Sequence, residues 1–169
     1  ELDPRSLIVS SNVGWVYYLA GRFDDAIDES QKALQLDPNF GVAHMNLGLA
    51  YQQKNQHNQS IEHQLKAEES LGDYQLPELA AAYAAAGQKE KAREYIRRTE
   101  AMTPLFTSYG GMALAYAALG EKNKAFAMLE KAYDIGDYYI SLLKVEPRFN
   151  PLRTDPRFKT LLKKIELED

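Results

Sequence analysis

Three histidines, one tryptophan and eleven tyrosines carry most of the side-chain chemistry in this sequence, and there is no cysteine. The missing thiol removes disulfides, thiolate metal sites and a cysteine nucleophile together, and it fits a reducing, cytoplasmic compartment. His57 and His63 stand six residues apart with Glu62 between them. A metal site on a helix needs ligands on one face about one turn apart, and this spacing does not supply them. Both residues, like His44, therefore read as surface polar groups. Gly110-Gly111 precedes helical sequence but lacks the Lys-Ser/Thr pair that completes a phosphate cradle, and neither a nucleophile elbow nor a paired-carboxylate arrangement is found. Tyr138-Tyr139 reads as packing rather than as a site. These residues predict no catalysis, no metal and no cofactor.

The charge pattern narrows the partners. A net charge of -4 gives no reason to expect nucleic-acid binding. From Lys144 to Lys164 there are seven basic residues against two acidic, and from Glu1 to Asp37 seven acidic against three basic. The basic stretch offers an acidic partner a surface, but a solvated helix face is the plainer explanation and is preferred. No run of about 18 apolar residues marks a membrane-spanning helix.

The elements that must position these residues repeat. Glu1-Leu2-Asp3-Pro4 returns as Gln35-Leu36-Asp37-Pro38, an offset of 34. Tyr17, Tyr51, Tyr83 and Tyr116 follow at steps of 34, 32 and 33. The series Ala26, Ser60, Ala92, Ala125 and the series Ala33, Ala67, Thr99, Ala132 keep the same phase. Three series shifting together define a repeat, with the short steps placed in connections near Asp73 and Pro104. Within a unit the apolar period is helical: Val13, Val16, Tyr17 and Ala20 fall on one face, and so do Ala26, Ile27, Ser30, Ala33 and Leu34. Between the two halves stand Gly21, Asn55, Gly87 and Gly120, residue types that reach the left-handed conformation where a helix ends and the chain reverses. Gly14, Gly48, Ala80 and Ala113 leave room for close helix approach. Each unit is therefore a helix, a tight turn and a second helix, and stacked units share one core.

The motifs Val13-Gly14-Trp15-Val16-Tyr17 and Leu47-Gly48-Leu49-Ala50-Tyr51, the alanines that follow them, and Leu36-Asp37-Pro38 resemble the tetratricopeptide repeat. The resemblance covers roughly residues 7–139. Two departures stand out: Ser10, His44, Leu76 and Tyr109 replace the tryptophan common early in the repeat, and the third and fourth units carry alanine for glycine. The resemblance implies an all-α fold, a right-handed superhelical solenoid of about four helix-turn-helix units with a C-terminal helical cap. One domain, 1–169, is expected, with 1–6 ending a preceding repeat, repeats at 7–40, 41–72, 73–105 and 106–139, and capping helices at 140–169. In the cap, Tyr138 to Val145 is expected to form a short helix. Asp155-Pro156 then starts a helix with the apolar stripe Phe158, Leu161, Leu162 and Ile165. The string Glu146-Pro147-Arg148-Phe149-Asn150-Pro151-Leu152-Arg153-Thr154-Asp155-Pro156-Arg157-Phe158-Lys159 resembles the ending of tetratricopeptide regions at the C-terminus of bacterial multidomain regulators. The opening of the chain in mid-pattern is consistent with a piece of a longer array.

In that architecture the first helix of each unit lines the inner surface, which makes this groove the expected site. Its stripe takes Asn12, Trp15, Tyr18 and Leu19 from the first unit, and Met45, Asn46, Leu49 and Gln52 from the second. Asn12 and Asn46 are equivalent, 34 apart, and an amide offers a peptide backbone both a donor and an acceptor. Trp15 and Tyr18 are aromatic anchors of the type enriched in binding hot spots; the alternative is that Trp15 and Leu19 pack between units. The third and fourth units line the same stripe with small residues: Ala81, Ala84, Ala85, Gly110, Gly111, Leu114, Ala117 and Ala118. The expected function is binding of a protein or peptide partner, with an intramolecular contact to a neighbouring domain as the alternative. Binding to nucleic acid or membrane is not expected. Val9, Val13, Val16 and Ala20 leave an apolar face on the first helix, which predicts self-association through the N-terminal helices.

Overall fold

The computed structural model describes residues 4–103 and 107–165. The Glu1-Leu2-Asp3 stretch of the first repeat-end motif and the connection at Pro104 lie outside them. Every regular element among the described residues is helical, and four helix pairs follow one another: α1 (Pro4–Leu19) with α2 (Phe23–Leu36), α3 (Gly41–Gln53) with α4 (His57–Leu71), α5 (Leu76–Ala85) with α6 (Lys89–Glu100), and α7 (Tyr109–Ala118) with α8 (Lys122–Ile135). After them come α9 (Tyr138–Ser141), a 3-10 helix at Pro147–Leu152 and α10 (Pro156–Lys164). The fold is all-α, a tetratricopeptide-type helical repeat.

The reversal within each pair occurs where the sequence places it. Gly21, Gly87 and Gly120 have φ of 74°, 74° and 76°, and Asn55 has φ of 58°, so all four occupy the left-handed region that ends a helix. The small residues are where helices touch. Ala26, Ser60, Ala92 and Ala125 are buried, and so are Ala33, Ala67, Thr99 and Ala132. A Cβ on Gly14 would stand 2.8 Å from Ser30 Oγ, and one on Gly48 would stand 2.7 Å from the Gln64 amide. A side chain at either point would have to displace the Ser30 or Gln64 side chain it meets on the paired helix.

The chain divides into two compact units, Glu1–Gln75 and Leu76–Asp169. In the first, α1 packs on α2, α3 on α4, and α3 also on α2 and α1. Its core gathers Tyr18, Ala26, Ile27, Leu47, Leu49 and Ala50, with Trp15, Leu19 and Met45 packed partly buried against it. In the second unit, α5 packs on α6 and α7, and α7 on α8. Alanine dominates its first helices, and Met112, Leu114, Phe126 and Leu129 fill the space between them.

The C-terminal segment belongs to this second core, through buried Phe149, Leu152, Phe158 and Leu161. Asp155 caps α10 by accepting the Arg157 backbone N–H at 3.1 Å, with Pro156 in the first helical position. The helix expected from Tyr138 to Val145 is shorter, ending at Ser141. Asp137 caps it by accepting the Tyr139 N–H at 2.9 Å.

Candidate functional site

In the first unit, the eight residues expected to line one stripe separate into two sets. Asn12 on α1 is exposed, and Trp15, Leu19 and Met45 are partly exposed. Tyr18, Asn46, Leu49 and Gln52 are buried. Tyr18, fully buried, lies under Trp15, with ring centroids 5.3 Å apart and planes at 21°. The buried ring thus backs the accessible one and fixes its orientation, which lowers the entropy that a contact to Trp15 would cost.

The two asparagines are not structurally equivalent, contrary to the expectation that both amides present themselves to a ligand. Asn46 is 1% exposed, and its Nδ2 donates to the Ser11 carbonyl of α1 at 2.9 Å. It ties the first helix of one repeat to the first helix of the next. The reason lies in the neighbours: α1 covers the position in α3, whereas Asn12 has no comparable helix over it among the described residues. Gln64 and Gln75 support Met45 from behind, donating to its carbonyl oxygen and sulfur at 3.4 Å each.

The same repeat position continues beyond the pair named from the sequence. Steps of 32 and 33 carry it from Asn46 to Glu78 and Gly111. Glu78 sits on α5 and is buried. Its carboxylate accepts hydrogen bonds from Arg148 Nη1 and from the Tyr139 hydroxyl. Arg148 also reaches Glu146 through Nε at 2.9 Å and Nη2 at 3.0 Å, a bidentate pair. Burial, and then the Glu78 carboxylate, hold the Tyr139 hydroxyl well above its ordinary pKa. It stays protonated and donates. Beside it Asp137 accepts the Gly110 backbone N–H at 3.1 Å, and a Cβ on Gly110 would stand 2.3 Å from that of Tyr139. The C-terminal segment therefore lies against the α5 and α7 face of the second unit. Glu78 was not among the residues expected in the stripe, although the step that relates Tyr51 to Tyr83 also relates Asn46 to Glu78.

Two helices per unit, a left-handed residue at each reversal and small residues at each crossing define a repeat type. Sequence comparison agrees with that geometry. A family profile described as TPR repeat matches residues 14–55, and one described as Tetratricopeptide repeat matches residues 42–75 and 106–137. The chain belongs to the tetratricopeptide repeat family. A curated relative, "Small glutamine-rich tetratricopeptide repeat-containing protein 2" of Mycosarcoma maydis, is 34% identical over 62 residues. The match covers 37% of this chain and 18% of that protein's length. Tetratricopeptide repeats mark a protein–protein interaction module, typically a scaffold rather than an enzyme. No helix among the described residues is long and apolar enough to cross a membrane. No group of three or more potential metal ligands occurs among them.

Proposed function

We propose that the tetratricopeptide module binds an extended peptide or partner segment on the face formed by α1 and α3. One observation carries the reading: Trp15 stands partly exposed on a buried Tyr18, on the same helix as the exposed amide of Asn12. An apolar anchor beside a group that both donates and accepts suits a peptide, whose side chains need pockets and whose backbone needs hydrogen bonds. Met45 and Leu19 extend the apolar surface, and methionine adapts to more than one shape. Asn46, Leu49 and Gln52 support this face from beneath, while Asn12, Trp15, Leu19 and Met45 make the contacts. The test is titration of a partner recovered by pull-down against wild type, Asn12→Ala and Trp15→Ala, with circular dichroism as the folding control. Equal affinities for all three proteins reject this site.

A contact in cis is the second reading, and the second unit favours it. There the equivalent position, Glu78, holds the chain's own Tyr139 and Arg148. A module that uses its first-helix face on itself can also use it on a neighbouring domain. The resemblance of the 146–159 ending to bacterial multidomain regulators fits a role as the scaffolding part of a larger bacterial protein. The full reading frame decides between a partner in trans and one in cis.

We also propose self-association through α1. Ile8, Val9 and Val16 are 55%, 58% and 61% exposed, whereas Ala43 and Ala50, the equivalents of Val9 and Val16 in α3, are fully buried. An apolar face of that kind favours burial against a second helix. Sedimentation at increasing concentration measures it, and a strict monomer argues against it.

A further inference from the structure

His44 and His63, which read from the sequence as surface polar groups, meet inside the second helix pair. Nδ1 of His44 on α3 and Nδ1 of His63 on α4 are 2.9 Å apart. Nε2 of His44 lies 3.0 Å from the Pro38 carbonyl oxygen. A carbonyl only accepts, so Nε2 carries the hydrogen, and the neutral His44 ring keeps its lone pair on Nδ1. Nδ1 of His63 must then supply the N–H. One backbone carbonyl thus sets the tautomers of both rings. On its other side His63 stacks on Tyr51, with centroids 5.5 Å apart and planes at 14°. The titratable and charged groups that face His63 are His44 and Tyr51 from α3 and Glu62 and Lys66 from its own helix. The last two are paired with each other at 2.7 Å.

We propose that the His44–His63 pair is a proton-sensitive clasp that holds α3 to α4 while both rings are neutral. With both rings neutral, the His63 Nδ1–H donates to His44 Nδ1. A first added proton goes to Nε2 of His63 and leaves that bond intact. Charging His63 is opposed all the same, because the ring is buried in the helix pair and lies against His44. Burial, and then the nearby His44, pull the His63 pKa from 6.5 down to about 4. The unfolded chain therefore takes up protons before the folded one. The stabilisation is fully present above the unfolded value and is lost as pH falls toward the folded one.

The experiment uses the whole chain. Long-range proton–nitrogen NMR correlations at neutral pH report which ring nitrogens carry hydrogen. The expected pattern is Nδ1–H on His63 and Nε2–H on His44; a hydrogen on His44 Nδ1 with none on His63 Nδ1 overturns the proposal. The variant His63→Asn places an amide N–H close to where Nδ1–H stood, and it does not titrate. Melting temperatures are then followed from neutral pH to about pH 4.5, the window in which the unfolded histidine charges. Wild type is expected to lose several degrees more than the variant, which differs from it in this one ionisable group. Parallel profiles overturn the clasp, and the NMR result decides independently if the variant does not fold.

Discussion

One repeat position takes four different fates. Asn12 is exposed, Asn46 is buried and bonded to the helix before it, Glu78 is buried and ion-paired to the C-terminal segment, and Gly111 has no side chain. The helix pairs around these residues are alike, so the scaffold does not make the difference. The neighbour does. In the first unit the first-helix face keeps an accessible aromatic and an accessible amide. In the second unit the chain's own tail lies on that face, and alanine and glycine at the contact let it approach. The difference teaches that a repeat offers one surface, and that a single side chain, together with whatever covers it, determines whether that surface is free or already used.

The strongest way to break the comparison is to remove the lock on the second unit. Arg148 is buried between two carboxylates, its side chain 3% exposed. Arg148→Ala removes the cation that Glu78 and Glu146 share in the second core and should cost about 3–5 kcal/mol. Chemical denaturation measures it, and a loss below about 1 kcal/mol, the scale of an exposed ion pair, would show that the tail is only loosely held. Overpacking the first unit ranks next. Gly14→Leu puts atoms where Ser30 already stands and should cost about 1–3 kcal/mol or more. An unchanged melting temperature would mean that α1 and α2 do not touch there.

The asparagines sharpen the contrast within one unit. Asn46→Ala removes the hydrogen bond to the Ser11 carbonyl and should lower stability by about 1 kcal/mol. Asn12→Ala should leave stability within about 0.5 kcal/mol, as surface changes do, while weakening a bound partner by about 1–3 kcal/mol. Matched thermal melts for the two variants would break the distinction. The smallest effect is expected at Asp155, which is partly buried and caps α10. Hydrogen bonds from the Arg157 side chain and backbone hold its carboxyl down at about 2, below the ordinary 3.8. Its contribution is present above the unfolded value and disappears as pH falls through the folded one. Asp155→Ala should therefore lower the melting temperature slightly at neutral pH and by clearly less near pH 2. An equal loss at both values would point to a purely steric cause.

Local rules made much of the fold legible. Gly21, Asn55, Gly87 and Gly120 mark the reversals because few other residues adopt positive φ without strain, and that constraint acts within a residue or two. Asp155 and Pro156 start α10 for reasons confined to one helical turn. The alanine and serine series repeat because two helix axes approach at fixed intervals along the chain. What the sequence did not disclose depends on separations much larger than a turn. Arg148 reaches Glu78 across 70 residues and His63 reaches His44 across 19, and no spacing rule links those numbers to contact. Asn12 and Asn46 are the same residue in the same register, so the sequence treats them alike. Only packing, which lays a helix over one and not over the other, makes one amide part of the framework and leaves the other exposed.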